Sequence, residues 1–98
     1  MKATELLRHR IPYSETSFAE LVLWQLPKPL PGSTHRFKYR LALVVRGECV
    51  LRYDDESGKG DHRHCKGRKS AFSVQSPEQL IQAFPRDIAR YRDEDRDA

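Results

Sequence analysis

The chain has 98 residues, 38% hydrophobic and 33% charged, enough for one compact core under a heavily charged surface and too few for two. A net charge of +4 favours polyanionic partners such as RNA, DNA or an acidic protein, and equally suits plain solubility. No apolar stretch approaches the roughly 20 residues of a membrane span, and the N-terminus lacks a signal-peptide core. A cytoplasmic protein with no membrane partner is therefore expected.

Met1 to Ile11 fits two readings: Ala3, Leu6, Leu7 and Ile11 have helical spacing, and a short strand is the alternative. Pro12 discourages a helix from continuing, and Tyr13 to Ser17 reads as a turn. Phe18 to Leu26 reads as a strand. Phe18, Val22, Trp24 and Leu26 share one parity, interrupted by Glu20, while Leu21 and Leu23 occupy the other. Pro27, Pro29, Pro31 and Gly32 end it in a stiff connector without ladder donors. That connector reads as a loop crossing the end of the sheet, or else as a polyproline ligand for a partner domain.

Arg36 to Val45 and Cys49 to Asp54 form a predicted hairpin, closed by a three-residue loop Val45-Arg46-Gly47 with a bulge. That register pairs Leu43 with Cys49, Leu41 with Leu51 and Tyr39 with Tyr53 on one face. Lys38, Arg40, Arg52 and Asp54 take the other face, where Arg40 and Arg52 would lie opposite each other. Like charges so placed need a carboxylate neighbour, such as Asp54 or Glu20, or an anionic ligand. Arg8 and Arg10 extend this basic face if the first segment is a strand. Asp55 to Ser70 reads as a long polar loop, and Ala71 to Val74 as a last short strand.

Ser76-Pro77-Glu78-Gln79 is a helix start with an N-cap serine, a proline in the first turn and a capping-box glutamine. Leu80, Ile81, Phe84, Ile88 and Tyr91 then form an apolar stripe facing the sheet, with a kink or break expected at Pro85. The predicted architecture is α+β: an antiparallel sheet of about four strands with this C-terminal helix packed on one face. Residues 1–91 form the single domain, and residues 92–98 a flexible charged tail. Cys49 and Cys65 belong to no CxxC pair and are expected as reduced thiols.

The chemistry-bearing segment is Tyr53 to His64, which joins carboxylates, a glycine-flanked lysine and two histidines at alternate positions. Three chemistries fit it. Gly58 and Gly60 allow close approach to a phosphate, with Lys59 and Arg63 supplying charge, although the spacing is not that of a Walker loop. His62 and His64 point to one side of an extended segment and would bind a metal if joined by Asp61, Asp54 or His35. Metal-independent RNA cleavage is the third: one imidazole takes the proton of a ribose 2′-hydroxyl, and the other, or Lys59, protonates the leaving oxygen. The catalytic candidates are thus His62, His64, Lys59 and Asp61; the nucleic-acid-binding candidates are Lys38, Arg40, Arg52 and Arg63. No metal and no cofactor is expected.

A resemblance joins these residues. Met1-Lys2-Ala3, the strand end Leu23-Trp24-Gln25-Leu26-Pro27, the hairpin from Tyr39-Arg40-Leu41 through Cys49-Val50-Leu51-Arg52-Tyr53-Asp54, the block Gly58-Lys59-Gly60-Asp61-His62-Arg63-His64 and the capped helix are similar to the TumE-type toxins of toxin–antitoxin pairs. The similarity spans roughly residues 1 to 90, and the glycine–lysine–histidine block is its most specific part. It implies a toxin neutralised by an antitoxin, usually one with a winged-helix DNA-binding domain, and it implies no particular active site; the function expected is a toxin acting on RNA or on translation. A non-catalytic module that binds nucleic acid or a cognate regulator is the alternative.

Overall fold

Period-two alternation of apolar and polar residues sets the architecture. The computed structural model describes residues 3–31, 33, 35–56, 58, 60–71, 74 and 76–94. It contains six strands, β1 (Thr4–Pro12), β2 (Ser17–Gln25), β3 (Phe37–Val45), β4 (Glu48–Glu56), β5 (Gly60–Cys65) and β6 (Arg68–Ala71), and one helix, α1 (Pro77–Glu94). The strands pair antiparallel in simple sequence order, β1 to β6. The α+β class, the antiparallel sheet and the C-terminal helix agree with the sequence. The strand count does not: six replace about four.

Three strands, β1, β5 and β6, differ from the expected set: of the last strand expected at Ala71–Val74 only Ala71 falls in β6, and residues 72 and 73 lie outside the described ones. Residues Thr4 to Pro12 take the strand alternative, pairing along the whole of β2. The predicted loop Asp55–Ser70 is instead the end of β4, all of β5 and most of β6. Its strands carry polar residues on both faces, so no apolar alternation announces them. The signal present is Lys66-Gly67, with φ of 52° and 80°, between the paired residues Cys65 and Arg68. It repeats Arg46-Gly47, with φ of 52° and 79°, between Val45 and Glu48. Both are two-residue turns whose left-handed backbone matches the twist of the flanking strands, and glycine relieves the second position.

That tight turn corrects the predicted hairpin register. Val45 pairs with Glu48 and Val44 with Cys49; after a bulge between Leu43 and Val44, Leu43 faces Leu51 and Leu41 faces Tyr53. Beyond the bulge the displacement from the expected pairing is two residues, so Tyr39, Leu41, Leu43, Leu51 and Tyr53 keep their predicted face while their cross-strand neighbours change; Cys49, expected among them opposite Leu43, pairs with Val44 instead and is exposed. Arg40 therefore lies opposite Asp54, and Arg52 opposite Ala42, not opposite each other.

One face of the sheet is the core. Ala19, Leu21 and Leu23 of β2, Tyr39, Leu41, Leu43 and Val45 of β3, and Leu51 and Tyr53 of β4 are buried there. Helix α1 covers them with Leu80, Phe84, Ile88 and Tyr91. Its start is capped as expected, the Gln79 N–H donating to Ser76 Oγ at 3.3 Å. Ile81 departs from the predicted stripe and is 47% exposed. The helix also runs through Pro85 without a break. Both residues lie on the solvent side, where water can satisfy the carbonyl left without its proline donor. Helix α1 reaches Glu94, so the first three residues of the predicted tail are helical; residues 95–98 lie outside the described ones.

The proline connector between β2 and β3 returns to the sheet through a hydrogen bond from the Leu26 N–H to the Arg36 carbonyl at 2.7 Å, and Gly58 N–H bonds the Pro31 carbonyl. It thus crosses to the β4–β5 turn. No described helix is long and apolar enough to cross a membrane. Cys49 and Cys65 are not bridged.

Truncating Leu43, fully buried at the centre of the sheet, to alanine should cost about 2–5 kcal/mol in chemical denaturation. Lys38→Ala, on the opposite face, should leave stability within about 0.5 kcal/mol of wild type.

Candidate nucleic-acid interface

No described element covers the second face of the sheet, and cross-strand pairing arranges its side chains in two transverse rows. One row runs Arg10, Glu20, Ala42, Arg52, His64, Lys69 from β1 to β6. The other runs Arg8, Val22, Arg40, Asp54, His62 from β1 to β5. Lys38 and Trp24 pair beside them. Neighbouring strands lie about 4.8 Å apart, so each row is a continuous strip of mixed but mainly positive charge.

The bases at the β1 end rest on local partners. Arg10 forms an ion pair with Glu20 at 3.7 Å and lies over the Phe18 ring at 3.9 Å; Arg8 pairs with Glu5 and lies 5.9 Å from the Trp24 ring centre. Lys38, Arg40 and Lys69 are exposed and form no ion pair with any described residue.

The centre of the face, on β4 and β5, is more ordered. Arg52 Nε is 3.2 Å from Asp54 Oδ2, and Arg52 Nη2 is 3.1 Å from His64 Nε2. A guanidinium only donates, so His64 Nε2 must be the acceptor and the ring is neutral. Burial, and then the charge of Arg52, hold the His64 imidazole below its ordinary pKa, against the pull of Asp54 3.8 Å away. Three atoms of this cluster, Arg52 Nε, Asp54 Oδ1 and His62 Nδ1, are shielded from solvent and make no hydrogen bond. The Arg52–Asp54 contact is therefore an ion pair by proximity without a directional hydrogen bond, and the cluster retains unused donors and acceptors.

The structure divides the candidate residues named from sequence. It brings His62 and His64 onto one face with Lys38, Arg40 and Arg52. Arg63 and Asp61 alternate with the histidines and point to the other face. There Arg63 Nε bonds Asp87 of α1 at 2.8 Å, and Tyr53 donates its hydroxyl to the same carboxylate. Burial and that Asp87 bond push the Tyr53 phenol up to about 12. Asp61 Oδ1 receives His35 Nε2 and the Tyr39 hydroxyl, each at 2.7 Å. Lys59 lies outside the described residues. Sequence reasoning missed Lys69, Asp87 and Asp55, and named His35 only as a possible companion of His62 and His64 on a metal; for Lys69 the available signal was the Lys66-Gly67 turn, which folds β6 back beside the histidines.

The fold and this face define a small α+β protein with a basic, uncovered sheet surface. The sequence model of the family Toxin TumE matches residues 2–92, and the chain belongs to that family. The family is one of toxins of toxin–antitoxin systems, which implies an antitoxin partner. No curated protein and no solved structure matches the chain.

Replacing Arg52 by glutamine removes a positive neighbour from His64. In an NMR titration the His64 ring should titrate below pH 6.5 in wild type and move upward in Arg52→Gln. An unmoved midpoint would separate the two groups.

Proposed function

We propose that this toxin acts on RNA through the uncovered face of its sheet, and that His64 and His62 supply metal-independent acid–base chemistry there. The observation that carries the reading is the contact between a neutral His64 and Arg52 within the basic face. A depressed pKa keeps the imidazole unprotonated at neutral pH, as a general base requires. As Arg52 turns from His64 Nε2 to the phosphate, the freed Nε2 lone pair takes the proton of a ribose 2′-hydroxyl while that oxygen bonds to phosphorus. The bond from phosphorus to the 5′-oxygen breaks, and a protonated His62 returns a proton to the leaving oxygen. The products are a 2′,3′-cyclic phosphate and a 5′-hydroxyl. Arg52 is placed to offset the charge that builds on the phosphate, and Asp54 keeps that guanidinium beside the ring. Lys38, Arg40 and Lys69 hold neighbouring phosphates.

Arg63 and Asp61 take other parts in this reading. Arg63 ties β5 to α1 through Asp87, and Asp61 lies on the covered face. The antitoxin, a protein with its own DNA-binding domain, silences the toxin by occupying the same basic face. The non-catalytic alternative keeps that docking and omits the cleavage. It draws support from the half-buried Val22 and Trp24, which give the face the apolar area a protein partner uses.

The test is induced expression in a bacterial host, wild type against His62→Ala with His64→Ala. Wild type should arrest growth and fragment RNA, and the double variant should do neither. With purified protein, cleavage should need no added metal and should fall as pH drops and His64 protonates. RNA affinity should fall steeply with salt, because phosphate contacts release counterions, and Arg40→Glu should bind more weakly and with a shallower salt dependence. Growth arrest with intact RNA would favour the docking module; RNA left intact at every pH would remove the nuclease.

A further inference from the structure

On the covered face, where β4 and β5 pair beyond the hydrophobic core, Asp55 lies directly opposite Asp61. Two carboxylates so paired repel, and this pair is sheltered: Asp55 is 5% exposed and the Asp61 side chain 11%. Their four oxygens are unevenly satisfied. Asp61 Oδ1 receives His35 and Tyr39, Asp61 Oδ2 the Val74 N–H at 3.3 Å, and Asp55 Oδ1 the Tyr39 N–H at 2.9 Å. Asp55 Oδ2 is buried and receives nothing. His35, 8% exposed, completes the group, and ligand atoms of His35, Asp55 and Asp61 all lie within 4.8 Å of one another.

We propose that His35, Asp55 and Asp61 form a binding site for a divalent transition-metal cation. One imidazole and two carboxylates suit a cation such as Mn2+, which accepts oxygen-rich sets. The cation removes the repulsion between the carboxylates and occupies the position that Asp55 Oδ2 leaves without a donor. Binding has an identifiable cost. Phe37 N–H donates to His35 Nδ1 at 3.2 Å, so the neutral ring carries its proton on Nε2, toward Asp61. A cation on Nε2 moves the ring's single proton from Nε2 to Nδ1, so the ring stays neutral and the Phe37 hydrogen bond is given up. The return is a clamp. His35 belongs to the proline connector, and Asp55 and Asp61 to the β4–β5 hairpin, so one ion ties together two segments that otherwise meet through the Gly58–Pro31 and His35–Asp61 hydrogen bonds. The site lies across the sheet from His62 and His64, and its cation serves the fold rather than a phosphate.

The full chain, first stripped with a chelator, is titrated with Mn2+. One ion should bind per chain, Tm should rise with Mn2+ concentration, and pulsed EPR should detect a single imidazole nitrogen on the bound ion. All three should persist in His62→Ala with His64→Ala, which removes the imidazoles of the open face, and binding should be lost in Asp55→Asn. The EPR signal in the double variant stands even if Asp55→Asn does not fold. No saturable binding, a bound ion without a nitrogen ligand, binding that disappears with His62 and His64, or wild-type binding by Asp55→Asn would each overturn the site.

Discussion

One 18-residue helix lies against one face of a six-stranded sheet, and the described chain holds no second helix for the other. An apolar face left in water would be costly, so the two parities of each strand must differ in character. On β2 and β3 they do: one parity is Ala19, Leu21, Leu23, Tyr39, Leu41 and Leu43, and the other contains Glu20, Lys38 and Arg40. The basic surface is the necessary polar complement of a one-sided core. What makes it more than a solvated face is its order at β4 and β5.

That order depends on Asp54. The hairpin places it opposite Arg40 on one side and His62 on the other, and Arg52 leans toward it along its own strand. A single carboxylate thereby allows two arginines and two histidines to share a small area. Arg52, held at Asp54, presents its outer nitrogen to His64 and keeps that ring neutral. The face thus combines exposed positive charge at Lys38, Arg40 and Lys69 with an imidazole adjoining a guanidinium, the two features on which the proposed RNA chemistry rests.

The covered face is less uniform than a hydrophobic core. Beyond Leu51 and Tyr53, β5 offers Arg63 and Asp61 in place of apolar residues, and each is matched: Arg63 by Asp87 on the helix, Asp61 by His35 and Tyr39. These contacts extend the sheet past the area that α1 can cover with carbon. They also explain why the alternating charges of Asp61 to His64 do not splay into solvent. Odd positions are held by the core side and even positions by the open side, so a segment without apolar residues is still a strand.

The α+β class, the capped helix and the faces of Tyr39, Leu41, Leu43, Leu51 and Tyr53 in the central hairpin were legible in sequence, because parity and capping are local properties that a register displacement of two leaves untouched; the bulge took Cys49 off the expected face. Resemblance within the Gly58–His64 block, joined to the strand and helix patterns, pointed to the toxin family that the match over residues 2–92 shows. Strands β5 and β6 were not legible, since both of their faces are polar and the compensating groups, Asp87, His35 and Tyr39, are distant in the chain. The partner of Arg52 was hidden for the same reason. A turn of two residues rather than three, together with the bulge between Leu43 and Val44, decides whether it faces Arg40 or Ala42, and only cross-strand pairing brings His64 to its guanidinium. Sequence by itself determined which side chains share a face; tertiary structure decided which of them touch, because neighbours across a sheet are set by turn geometry and pairing, not by spacing along the chain.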